Sequence, residues 1–123
     1  MRMKRVKQLI DDGAYREAAE AIEALQNENE DAHNFGMTYT LGQAYSKIEG
    51  KSKQAISAFE SALNYDPAPP PAFWKAYSEA LDKESRFEES GDALSRQYEL
   101  VKSKANYSKA IEVCRLCLDR WGK

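Results

Sequence analysis

Two cysteines three positions apart, Cys114 and Cys117, and a single histidine, His33, are the residues whose types could do chemistry in this chain. A C-x2-C can supply half of a zinc site or cycle between dithiol and disulfide. Zinc wants four ligands, however, and the sequence holds no second cysteine pair and no histidine near these two. No strand pattern precedes the pair, so a thioredoxin-like redox role lacks its setting, and the cysteines read as small buried hydrophobes. His33 lies in the polar run Asn27-Glu-Asn-Glu-Asp-Ala-His-Asn34, which reads as a solvated turn rather than as the place for a general base. Glycines at 13, 36, 42, 50, 91 and 122 form no phosphate-cradling cluster, and the carboxylates are scattered as they are on helix surfaces. These residues predict no catalytic group, no bound metal, no cofactor and no enzymatic activity.

The charge balance narrows the partners. Lys and Arg number 18 against 20 Asp and Glu, a net charge of −2, so the basic field that nucleic-acid binders use is missing and no nucleic acid is expected. The basic start, Arg2, Lys4, Arg5 and Lys7, reads as a solvated helix face. Gln8, Asp11 and Asp12 then interrupt the apolar stretch that a signal peptide needs, and no run approaches a membrane span. With two cysteines and no larger disulfide framework, the expected setting is cytoplasmic, without a membrane partner. At 123 residues the chain suits one domain, large enough to bury about two-thirds of its unfolded surface.

What positions these residues is a series of helices. Residues 14–25 put Ala14, Ala18, Ile22 and Leu25 on one face, with Arg16, Glu17, Glu20 and Glu23 turned away. The same period recurs in Met37, Leu41, Tyr45 and Ile48, in Ala55, Ile56, Phe59, Ala62 and Leu63, and in Phe73, Trp74, Tyr77, Ala80 and Leu81. It recurs again in Phe87, Ser90, Leu94, Tyr98 and Val101, and finally in Tyr107, Ala110, Ile111, Cys114 and Leu118. Val6, Leu9 and Ile10 add a short first helix ending before Gly13, where a left-handed residue is cheap. The spacing predicts an all-α chain of about seven helices joined by short loops.

Four of these segments share one design. Gly13–Ile22, Lys51–Phe59, Ser85–Leu94 and Ala105–Cys114 each place a small residue (Ala18, Ala55, Ser90, Ala110) four positions before a larger apolar one (Ile22, Phe59, Leu94, Cys114). Three of them add an aromatic residue, Tyr15, Phe87 or Tyr107, three positions before the small one. The small residues are 37, 35 and 20 apart, so two intervals match a helix-pair repeat and the third leaves room for one helix.

The central copy resembles the tetratricopeptide repeat family, whose pattern is W-x2-L-G-x2-Y, A-x3-F and P over about 34 residues. Leu41, Gly42, Tyr45, Ala55, Phe59, Ala62 and Pro67 occupy the signature places, while Thr38 stands where the tryptophan belongs. The next copy supplies Trp74 but has Tyr77 and Ser78 for Leu-Gly, Leu81 for Tyr and no closing proline. The resemblance implies a right-handed α-α superhelix in which antiparallel pairs at 1–27, 34–66 and 71–102 stack, with a capping helix at 106–119. Its outer face would carry Ser108, Lys109, Glu112, Arg115 and Asp119. Pro67 would close one pair, and Pro69 to Pro71 would hold the chain out of helical geometry before the next, with Pro71 suited to that helix's first turn. Trp74 would anchor the stacking.

The family's concave groove, lined by the first helix of each pair, holds a partner peptide. By that correspondence the groove comprises Met3, Lys7, Tyr39, Gln43, Ser46, Lys47, Lys75, Glu79 and Asp82. The places of the family's carboxylate clamp for chaperone tails hold Met3, Lys7, Thr40, Ala72 and Ala76, which keeps one cation and argues against that ligand. The resemblance implies a non-catalytic protein-protein interaction module, an adaptor, scaffold or small co-chaperone whose partner is another protein or peptide. The alternative is a structural repeat segment that stacks on itself as a homo-oligomer or on the rest of a larger protein.

Overall fold

Seven α-helices and one short 3-10 turn, Glu30–Ala32, make up the regular structure, with no strand among the described residues. The computed structural model describes residues 2–103 and 107–123, with side chains described for 4–102 and 108–123. In chain order the helices are α1 (Arg2–Asp11), α2 (Tyr15–Glu28), α3 (Phe35–Ser46), α4 (Ser52–Tyr65), α5 (Pro71–Lys83), α6 (Phe87–Ser103) and α7 (Tyr107–Trp121). The side chains of Met3 and Tyr107, and Ala105 and Asn106 of the last copy, lie outside the described residues.

Local signals set the helix ends. Asn34 caps α3: its side-chain oxygen accepts the Met37 N–H at 2.9 Å, while its amide donates to the Asp31 carbonyl at 2.8 Å. Pro71 opens α5, where a missing N–H leaves no bond unmade. The turns that end α1 and α5 are the same device. Gly13 (φ 78°) donates to the Ile10 carbonyl and Ala14 to that of Leu9, just as Ser85 (φ 57°) donates to Asp82 and Arg86 to Leu81. This is the double-bonded C-terminal cap that needs a left-handed residue, glycine in the first case and a strained serine in the second.

The chain divides into two compact units, Met1–Pro67 and Ala68–Lys123, with the boundary inside the proline stretch. In the first, Val6, Ala18, Ile22, Met37, Leu41, Ala44 and Ala58 form a continuous core, with Leu9, Leu25 and Tyr45 packed against it. α3 and α4 are joined by five residues and pack closely, which makes them an antiparallel pair. Their contact is tight because Gly42 faces Phe59. A Cβ on Gly42 would stand 2.6 Å from Phe59 Cε1, and Phe59 is fully buried. The repeat's Gly and Phe therefore meet each other, which is the close approach that a small residue permits.

In the second unit α6 packs against both α5 and α7. Phe73 and Leu81 are fully buried, whereas Trp74 is half-buried and meets Phe73 edge-on at 5.2 Å. Phe73 thus takes the interior place expected of Trp74. The face of α7 also differs from expectation. Ala110, Val113 and Cys117 are buried, the latter two against Leu94, while Ile111 and Leu118 remain 57% and 62% exposed. Two apolar stripes run along α7 at helical spacing, and packing on α6 selects one of them. The outward side is therefore a mixed surface, with Ile111 and Leu118 among Ser108, Glu112, Arg115 and Asp119.

Candidate functional site

Each unit carries its own part of the predicted binding surface. On α3, Tyr39 is half-buried, with its ring stacked on Phe35 at 5.5 Å and tilted against Phe59 at 6.1 Å. Burial pushes its phenol above the ordinary tyrosine range. Gln43 and Ser46 follow on the same helix, each partly exposed, and the Ser46 hydroxyl donates to the Gln43 carbonyl at 2.7 Å. Lys47, at the C-terminal end of α3, and Lys7, on α1, both project into solvent. The α3 strip offers an aromatic wall, a neutral polar pair and one cation, Lys47, at its C-terminal end. Such a surface can hold an extended segment by an apolar anchor and polar fixing contacts.

On α5, Lys75 and Glu79 are exposed one turn apart. Asp82 is not free: the Arg120 guanidinium reaches both its carboxylate oxygens at 3.0 Å from α7. Both side chains are 23% exposed, and the Asp82 hydrogen bond, opposed by desolvation and aided by the Asp82 charge, raises the Arg120 pKa. Arg120 also pairs with Asp119. Next to it the Trp121 indole N–H donates to Asp92 at 3.1 Å, and the ring lies where a Cβ on Gly91 would go. Neither Arg120 nor Trp121 was legible as a functional residue in the sequence. Arg120 is 38 residues from Asp82, a distance at which no helical period links a pair.

The residues whose types suggested chemistry do not assemble. His33 Nε2 lies 2.7 Å from the Gln26 carbonyl, on the exposed edge of unit 1. Cys117 is buried and Cys114 half-buried, and burial, followed by the neighbouring Cys114, raises the Cys117 thiol pKa, which disfavours the reactive thiolate. Among the described residues no three His, Cys, Asp or Glu side chains converge on a metal-sized space. Nor is any described helix long and apolar enough to cross a membrane.

Among the described residues, a surface cavity of about 390 Å³ opens in unit 1 between α2 and α4 over α3. In unit 2, one of about 250 Å³ lies between α5 and α6, and one of about 340 Å³ between α6 and α7 beside Ile111 and Cys114.

No protein-family model and no curated protein matches the chain. Solved structures do. Over 98% of its length the chain superposes on 89% of PcrH, crystallised in complex with the chaperone-binding region of PopD, with a TM-score of 0.80 at 13% identity. It matches the Yersinia enterocolitica type III secretion translocator chaperone SycD over 95% of its own length and 79% of that chain, at TM-score 0.78 and 18% identity. SycD in complex with a peptide of the translocator YopD gives a TM-score of 0.74 at 17% identity, with 93% and 87% covered. At such identities the likeness is one of fold, and the chain accordingly has the all-α, tetratricopeptide-like helical-repeat fold of these chaperones.

Proposed function

We propose that this chain is a non-catalytic protein-interaction module of the tetratricopeptide repeat family, which holds an extended or helical segment of a partner protein as an adaptor or small chaperone does. The observation that carries this is the likeness, across nearly the whole chain, to two chaperones crystallised with segments of the proteins they serve. The α3 strip supports it, because Tyr39 packs against Phe35 and Phe59 and remains partly exposed, as an aromatic contact for an apolar side chain requires. Lys7, Tyr39, Gln43, Ser46 and Lys47 in the first unit, and Lys75 and Glu79 in the second, are the proposed contacts. Asp82 serves there as the partner of Arg120, fixing the end of α5.

The test is affinity capture from the native lysate with the wild-type chain and with Tyr39→Ala/Lys75→Ala. A protein retained by the first and lost from the second is expected. Equal retention by both overturns the assignment of these residues.

A second reading has one observation in its favour. Ile111 and Leu118 leave an apolar line on α7, suited to a repeat segment that stacks on another copy. Light scattering from micromolar to millimolar protein tests it: self-association weakened by Ile111→Lys supports stacking, and a monomer throughout rules out the homo-oligomer.

A further inference from the structure

The repeat pattern has a tryptophan at the position of Thr38, and a cavity of about 390 Å³ lies at that threonine. The next pair keeps the tryptophan. There Trp74 and Tyr77 border a smaller space, about 250 Å³, whose walls carry Glu89, Asp92 and Arg96. The corresponding wall in unit 1 carries Gln54, Ser57 and Ser61. One exchange on α3 and three on α4 thus replace a cleft walled by carboxylates and an arginine with a wider one of about 390 Å³ walled by amide and hydroxyl groups beside His33.

The chemistry of that wider space is specific. Its lining contains no carboxylate, lysine or arginine, and the Nε2 of its one histidine, His33, lies 2.7 Å from the Gln26 carbonyl. Thr38 is 5% exposed, and its hydroxyl accepts from the Gln26 amide at 3.3 Å, which also donates to the Ala32 carbonyl at 3.2 Å. Those bonds fix Gln26 at one side. At the other, Gln54, Ser57 and Ser61 stand one turn apart along α4, exposed to solvent, with Tyr65 beyond. A cationic ligand would lose hydration there without meeting a carboxylate, and an anionic one would find only His33, whose Nε2 already faces the Gln26 carbonyl. An aliphatic ligand would cover hydroxyls and amides without bonding them. An amide meets both needs: it is neutral, it donates and accepts, and its flat face can lie on a tyrosine ring.

We propose that this cavity is a second binding site, distinct from the Tyr39 strip, for an uncharged amide-rich segment of a partner chain, with glutamine or asparagine side chains entering over Thr38. It does not rest on the function proposed above, since Thr38 and Tyr39 project about 100° apart around α3.

The test is an NMR titration of the full chain with three capped dipeptides of similar size, acetyl-Gln-Gln-amide, acetyl-Glu-Glu-amide and acetyl-Leu-Leu-amide. The glutamine probe should shift the Gln26 and Gln54 side-chain amides and the Ser57 and Ser61 backbone amides, with a dissociation constant of about 1–10 mM. The glutamate and leucine probes should bind about tenfold more weakly or worse. Thr38→Trp, which restores the pattern residue and fills the space, should abolish the shifts. If that variant does not fold, Ser57→Phe at an exposed helical position blocks the same mouth. Equal binding of the three probes, no shift with the glutamine probe, or shifts that persist in the blocked variant would each overturn the proposal.

Discussion

The two units close their helices by different means. In the first, Gly42 lets Phe59 approach the α3 backbone, and the ring is fully buried, so nothing around it can move aside. In the second, Gly91 plays the same steric part for Trp121, but that indole is 47% exposed and tied by one hydrogen bond to Asp92. A glycine under a ring has a different energetic meaning in each. Where the ring is enclosed, the glycine sustains the core; where the ring lies on the surface, it sustains a clasp that can open. Unit 1 is accordingly held by apolar packing, and the end of unit 2 by the polar pairs of Arg120 and Trp121.

The most direct way to break this comparison is to add a methyl group at each glycine. Gly42→Ala should cost about 2–3 kcal/mol, because overpacking against a fixed ring forces backbone movement. Gly91→Ala should cost less than about 1 kcal/mol, since Trp121 can swing into solvent. Urea unfolding of the two variants measures both, and equal losses would contradict the distinction. The turn after α5 offers the opposite sign. Ser85 holds a left-handed conformation where α1 uses Gly13, so Ser85→Gly should raise stability by about 1 kcal/mol, seen as a higher unfolding midpoint.

Two smaller effects sharpen the polar side of unit 2. Asp82→Asn removes the charge opposite Arg120 and should cost about 1 kcal/mol at low salt, with the difference shrinking as salt is added. Glu89 is held below the usual carboxylate range by hydrogen bonds from Arg86, opposed by slight desolvation and aided by the Arg86 charge. A carboxylate whose folded pKa is depressed stabilises above its unfolded pKa, and that contribution is lost as pH falls through the folded value. Both partners are well exposed, so the effect is about 0.3 kcal/mol, and Glu89→Gln should flatten the acid limb of a stability-versus-pH curve by that amount.

The helices were legible in the sequence because each buries one apolar face, and that pattern follows from the helical period alone. The left-handed residue at Gly13 and the opening proline of α5 were legible for the same local reason. On α7 the pattern was ambiguous. Ile111, Val113, Cys114, Leu116, Cys117 and Leu118 satisfy the period in two overlapping registers, and the choice depends on the neighbouring helix, which periodicity does not contain. Thr38 was visible as a departure from the repeat, but the neutral lining around it comes from α2, α3 and α4 together. Asp82 read as a groove residue because its partner Arg120 stands 38 residues on, in α7.

The central proposal, that the Tyr39 strip of the first unit and Lys75 of the second each contact a partner peptide, is tested most directly by calorimetry. Displayed linear peptides selected on the wild-type chain would be titrated into wild type and into Tyr39→Ala/Lys75→Ala. The account predicts peptides with one or two apolar anchors whose affinity falls at least about tenfold in the double variant. Undiminished affinity in that variant, or the failure of any peptide to be selected, would contradict it.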